Sequence, residues 1–113
     1  MRTSGPWRSP SIQDEWTGES KEIAVIRMFV RHPVSDYRTW KKAYDAFDAE
    51  RKGMGVMGDA VFQAADDPND VTAWHDFETM ESAQAFATSS RLRDIMADAG
   101  VSGAPTIWYT TPA

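Results

Sequence analysis

The segment EIAVIRMFV (residues 22–30) constrains the fold more than any other part of the chain. Its β-branched, apolar residues form a run too short for a typical helix, so it reads as a strand. The even positions Ala24, Ile26, Met28 and Val30 are all apolar. The odd positions Ile23, Val25 and Phe29 nearly complete a second apolar face, interrupted only by Arg27 and Arg31. Such a strand must be covered on both sides. Helices cover one side of a sheet, and 113 residues leave no room for a second core to cover the other. A second copy of the chain, laid sheet against sheet, is the cover that remains, so the strand predicts a homodimer.

The rest of the chain supplies the helices and the other strands. After Ser35 or Asp36 as N-cap, Tyr37, Trp40, Tyr44, Phe47, Arg51 and Met54 recur at spacings of three and four. That is one stripe of one helix, with Gly53 and Gly55 as its stop. DAVFQAA (59–65) and VTAWHDF (71–77) read as strands joined by the turn cluster DDPND (66–70). Thr79 can cap a second helix carrying Ala83, Phe86 and Ala87. Ser89 or Ser90 then begins a further turn or short helix with Leu92, Ile95, Met96 and Ala99, ended by Gly100, and TIWYTT (106–111) is a last strand. The order β-α-β-β-α-β predicts an α+β, ferredoxin-like sandwich: a four-stranded antiparallel sheet with helices on one face. Residues 1–21 show no apolar period and read as an irregular N-terminal tail before a domain spanning 22–113. The tail's Trp7 and Trp16 are expected to dock on folded structure, because leaving them in water forgoes roughly 1.5–3 kcal/mol each.

Composition removes several functions. No Cys is present, which excludes thiolate metal sites, disulfides and a cysteine nucleophile. A net charge of −5 argues against nucleic-acid or anionic-membrane binding, which needs a basic face. No apolar run approaches the ~20 residues of a membrane span, and Arg2 and Arg8 precede no apolar signal region, so a soluble cytoplasmic domain is expected. GMGVMG (53–58) matches the dinucleotide-binding pattern in letters, but it follows a helix and precedes a strand, the reverse of what the pattern requires. The acidic turn at 66–70 lacks the glycine and closing glutamate of a calcium loop. Neither a G-x-S-x-G elbow nor an H-E-x-x-H zinc motif occurs.

Strand parity positions the two histidines. Val71, Ala73, His75 and Phe77 share one face of their strand, the more apolar one, and are assigned to the helix side. His32 ends the first strand on the same side. In this topology those strands are antiparallel neighbours, which puts His32 beside residue 71 and about 13 Å from His75 at strand rise. A two-histidine metal site is therefore not expected, and no carboxylate is spaced to complete one. A histidine in a mostly apolar pocket is a general acid or base, or else a structural group bonded to a carbonyl or a Tyr hydroxyl. On the helix stripe, Tyr37, Trp40 and Tyr44 either build core or offer hydrogen-bond donors to a flat ligand.

The segments HPVSDYRTWKKAYDAF (32–47), VFQAADDPNDVTAWHDF (61–77), SAQAFATSSRLRDIMADAGVSG (82–103) and PTIWY (105–109) resemble the dimeric α+β barrel superfamily, in particular its antibiotic-biosynthesis-monooxygenase-like branch of small "cyclase"-type proteins. The resemblance covers about residues 23–110. It implies an oxygenase or cyclase acting on an aromatic or polyketide-like molecule in a pocket between sheet and helices, without metal or organic cofactor. Relatives with cofactor-free oxygenase activity polarise a phenolate with Tyr, Trp, Asn or His. Here Tyr, Trp and His are present, while the single asparagine, Asn69, falls in the hairpin turn. Neither histidine falls on a helix, as the ligand of a haem-degrading relative would. The expected site has His75 and Tyr44 as catalytic groups, with Tyr37, Trp40, His32 and Phe86 holding the substrate. The alternative is a non-catalytic small-ligand-binding or accessory protein with the same pocket. A narrow pocket filled by Trp40 and Phe86 favours that alternative; one open to His75 favours catalysis.

Overall fold

The computed structural model describes residues 25–113. Residues 22–24 of the expected first strand, and the expected docking of Trp7 and Trp16, lie outside them. The elements run β1 (Ile26–Pro33), α1 (Tyr37–Ala46), α2 (Asp48–Gly53), β2 (Gly58–Ala64), β3 (Asp67–Phe77), α3 (Met80–Ala87), α4 (Ser90–Asp98) and β4 (Thr106–Thr110). The strands form one sheet in the order β2-β3-β1-β4, every neighbouring pair antiparallel. This is the α+β ferredoxin-like arrangement, with each helical segment divided in two. Among the described residues no helix is long and apolar enough to cross a membrane.

Local chemistry accounts for the helix ends. Asp36 caps α1 by accepting from the Thr39 amide at 3.0 Å, Thr79 caps α3 through Ser82 at 3.1 Å, and Ser89 caps α4 through Leu92 at 3.2 Å. Gly55 and Gly100 carry the positive φ values, +101° and +90°, that end α2 and α4. The expected single helix over 37–54 is interrupted at Phe47, which leaves the helical region (φ −88°, ψ 2°). The Arg51 guanidinium bonds the Tyr44 carbonyl at this break. No glycine or proline marks the spot; a buried arginine reaching back about two turns does.

The hairpin also differs from expectation. Asp67–Asp70 belong to β3, which leaves only Ala65 and Asp66 as the turn. Pro68 is tolerated because the β2–β3 ladder shifts there: Gln63 pairs with Val71 and Ala64 with Asp67, so the intervening residues bulge and need no amide at 68. β1 runs on to Pro33, and His32 stands opposite Val71, the neighbour expected for it.

The helices bury one face of the sheet. Met28, Val30, Ala73 and Phe77 pack with Ala83 and Phe86 of α3, and Val71 packs with Trp40, Val34 and Ala99 in an adjoining cluster. On the opposite face Phe29 stands in register between Trp74 and Trp108. The Phe29 and Trp108 rings stack at 5.2 Å and 4°. Trp108 is 40% exposed and Phe62, on the same side, 53%. Arg27 lies 3.6 Å over the Trp74 ring and makes two bonds to Asp76, at 2.8 and 3.0 Å. Arg31 does the same with Asp70, at 3.0 and 2.6 Å.

Candidate functional site

Where the two clusters of the core meet, the helix side of the sheet encloses a cavity of about 50 Å³. Its floor is Met28, Val30, His32, Ala73 and His75, and its walls come from Trp40, Tyr44, Phe47 and Arg51 on one side and Phe86 on another. Leu92, Ile95 and Met96 of α4 close it. The space suits a few water molecules and is well below the ~150 Å³ that holds a benzene ring.

Four polar side chains cluster at this cavity, although its lining is mainly apolar. His75 is 3% exposed and its Nε2 shares a 3.0 Å hydrogen bond with the Tyr44 hydroxyl. Tyr44 in turn donates to Asp59 Oδ2 at 2.7 Å. Asp59 stands directly across from His75 in the β2–β3 ladder, which puts both on the helix face. Arg51, also 3% exposed, lays its guanidinium 3.7 Å over the Tyr44 ring. It reaches Asp59 Oδ2 at 3.3 Å and Asp48 Oδ1 at 3.2 Å. The buried atoms His75 Nδ1, His32 Nδ1 and Arg51 Nε have no hydrogen-bond partner among the described residues. Orphans of this kind cost free energy in a native structure and mark places where a ligand or water is expected.

Environment fixes the charge states. Burial, and next the Arg51 charge, lowers the His75 pKa to about 4, so the ring is neutral at pH 7. His32 is lowered as well, chiefly by burial. Burial and the bond to Asp59 push the Tyr44 hydroxyl well above the usual phenol range, so it keeps its proton. The site thus pairs a neutral imidazole with a fixed cation inside an apolar wall. The arrangement offers an unprotonated ring nitrogen beside a guanidinium at the wall of the cavity.

Most of the sequence-predicted residues meet here. His75, Tyr44, Trp40, His32 and Phe86 all line the cavity, with Trp40 stacked on Tyr44 at 4.9 Å and Phe86 against His75 at 5.2 Å. Tyr37 does not: it is not part of the lining, and it packs beside Trp40 with 6.0 Å between ring centroids. The roughly two helix turns separating Tyr37 from Tyr44 carry it past the cavity, toward the β3 hairpin, where its amide donates to Asn69 Oδ1. Asn69 is therefore occupied in the scaffold. Sequence reasoning missed Arg51 and Asp59. Arg51 had a visible signal, a charge on the apolar stripe; Asp59 had none without the strand register. Among the described residues no cluster of three or more His, Asp or Glu side chains converges as a metal site.

No protein-family model and no curated protein matches the sequence. Solved structures do. A Nitrosomonas europaea protein assigned as an antibiotic biosynthesis monooxygenase is 19% identical over 78% of this chain and 89% of its own, with a TM-score of 0.62. The monooxygenase of the ActVA-Orf6 gene of Streptomyces coelicolor, solved with the ligand nanaomycin D, is 17% identical over 82% and 90%, with a TM-score of 0.59. SnoaB of Streptomyces nogalater, a cofactor-independent oxygenase, is 10% identical over 80% and 92%, with a TM-score of 0.58. The described residues therefore share the α+β fold of these monooxygenase structures.

Proposed function

We propose that the chain is a small-molecule enzyme that deprotonates a phenol or enol of an aromatic or polyketide-like compound, preparing it for oxygenation or ring closure without a metal or organic cofactor. The observation that carries this reading is His75: neutral, buried, bonded through one ring nitrogen to Tyr44, and with the other left unpartnered at an apolar cavity. The fold-mates that take nanaomycin D or work without a cofactor support the substrate class and the mechanism.

In that mechanism the ligand O–H bond breaks as His75 takes the proton. Arg51 beside it lowers the basicity of the ring, and the same charge stabilises the phenolate or enolate left behind. Proton transfer of this kind contributes ~10²–10⁴-fold to rate. Because the His75 pKa lies near 4 rather than 6.5, activity is expected to persist through pH 5–6 and to fall only as pH approaches 4. The wall that yields to a ligand is α4, which presents Leu92, Ile95 and Met96 to the cavity and has no fully buried residue. Methionine there adapts readily to a new shape.

The volume of about 50 Å³ favours a second reading, a binding protein without turnover. Mass spectrometry of ligand retained from the expression host identifies the compound class. Oxygen uptake and product analysis with hydroxylated naphthalene and anthracene substrates then separate the readings. Catalysis predicts turnover that His75→Ala lowers by ~10² or more while the protein stays folded; binding without turnover across the panel favours the second reading. Undiminished activity in His75→Ala ends the proposal.

The outer sheet face supports a homodimer in which Phe29, Trp74 and Trp108 of two chains meet. Trp108 and Phe62 lie open on this face of a single chain, Phe29 and Trp74 are half-buried beside them, and the flanking charges are already paired.

A further inference from the structure

The hydrogen-bond chain that ends at His75 has a direction, and Asp59 sets it. A carboxylate only accepts, so the Tyr44 proton belongs to the 2.7 Å bond with Asp59 Oδ2. The guanidinium of Arg51 lies 3.3 Å from the same oxygen. With its proton committed, the Tyr44 oxygen can only accept from His75 Nε2 across 3.0 Å. Nε2 must then carry the ring hydrogen, and in a neutral imidazole Nδ1 keeps the lone pair. Nothing opposes this arrangement, since Nδ1 has no partner among the described residues.

We propose that Asp59, acting through Tyr44, is the positioning residue that fixes His75 in its Nε2–H tautomer and so leaves Nδ1 as the proton acceptor of the cavity. The significance for catalysis rests on the reading of His75 as a base; the tautomer itself is a property of the resting protein and is measured without any substrate.

Long-range proton–nitrogen correlation spectra of the uniformly ¹⁵N-labelled, untagged protein at pH 7 give the readout. Only two histidines are present, so a His32→Gln background leaves one imidazole to follow. In that background Nε2 is expected to show a protonated shift and Nδ1 an unprotonated one. Asp59→Ala frees the Tyr44 hydroxyl to donate to Nε2, and the ring proton moves to Nδ1, exchanging the two shifts. Asp59→Asn retains the starting pattern, because Arg51 turns the amide oxygen toward itself and Tyr44 still finds an acceptor. That rescue by an uncharged isostere separates hydrogen-bond direction from the loss of a charge. Tyr44→Phe serves where Asp59→Ala does not fold, since it removes the link and gives a mixture of tautomers. The proposal is overturned by an Nδ1–H ring in the starting protein, by an unchanged pattern in Asp59→Ala, by exchanged shifts in Asp59→Asn, or by a pure Nε2–H ring in Tyr44→Phe. A protein with the expected tautomers that turns over no substrate refutes the proposed function and leaves this assignment standing.

Discussion

The two faces of the sheet have opposite deficits. On the helix side the apolar groups are covered, with Met28, Ala73 and Phe77 at most 1% exposed, and the groups without partners are polar: two histidine nitrogens and one arginine nitrogen. On the outer side the charges are answered, Arg27 by Asp76 and Arg31 by Asp70, while Trp108 and Phe62 are left exposed. An uncovered apolar row calls for more protein, which is how a sheet with helices on one face completes its burial. A covered polar orphan calls for a ligand, because each unmade buried hydrogen bond costs about 1–3 kcal/mol. The proposed interface and the proposed site therefore lie on opposite surfaces, and the two are separable by mutation.

The sharpest break in that comparison is on the outer face. Phe29 is the centre of the aromatic row, and a central aromatic anchor carries ~2–4 kcal/mol of association energy. Phe29→Asp is expected to raise the dimer dissociation constant by ~30-fold to 10³-fold in sedimentation equilibrium. His75, pointing the other way, should keep its nitrogen chemical shifts. Association unchanged in Phe29→Asp would show that copies meet elsewhere or not at all.

The second effect tests the orphaned side by pH. The pKa of His75 is lower in the folded chain than in the unfolded one, so the unfolded state takes up the proton first as pH falls below 6.5. Stability is thus full above pH 6.5 and declines toward pH 4, by about 1.4 kcal/mol per pH unit. His32 shifts in the same direction and adds to the slope. The paired carboxylates Asp36, Asp48, Glu50 and Asp70 are held below their usual range, and their contribution is lost only in more acidic solution. Urea unfolding at pH 6.5 and pH 5 isolates the histidines, with an expected loss of ~2 kcal/mol. A flat profile would mean that His75 is solvated and is no orphan. His75→Met should remove most of the slope and cost under ~1.5 kcal/mol at pH 7, because it exchanges a polar group lacking one partner for an apolar one of similar size. A large loss of stability at pH 7 would mean that the histidine serves the fold.

How far this could be read from the chain depends on whether the information is local. The helix-side placement of His75 follows from Val71, Ala73 and Phe77 sharing its parity, and parity needs only the strand itself. The caps Asp36, Thr79 and Ser89 are equally local. Asp59 is not: it matters because the β2–β3 register sets it opposite His75, and register depends on a bulge at Gln63/Ala64 that the sequence does not mark. The break at Phe47 was hidden for a related reason. Arg51 keeps the helical period in sequence, but in space it turns back to the Tyr44 carbonyl. Tyr37 shows the converse error, since a shared stripe puts residues on one face without putting them at one depth along the helix.

The smallest effect is expected at Arg27, and it limits what the outer charges do. The guanidinium lies 3.6 Å over Trp74 and makes two bonds to Asp76, a geometry that looks strong. Yet the Arg27 side chain is 41% exposed, and ion pairs in water return little, because solvent and salt screen the attraction and ordering a long side chain costs entropy. Arg27→Met retains an apolar stem to lie over the indole and removes only the charge. In the monomeric Phe29→Asp background its urea midpoint at pH 7 should match that of the parent within error, and it should respond no more to added salt. In the dimer the same substitution acts on a rim that association desolvates, so any change should appear in the dissociation constant instead. A drop in monomer stability as large as that produced by acidifying His75 would contradict the central contrast: the paired charges of the outer face would then be holding the fold together, and pairing alone would no longer distinguish structure from site.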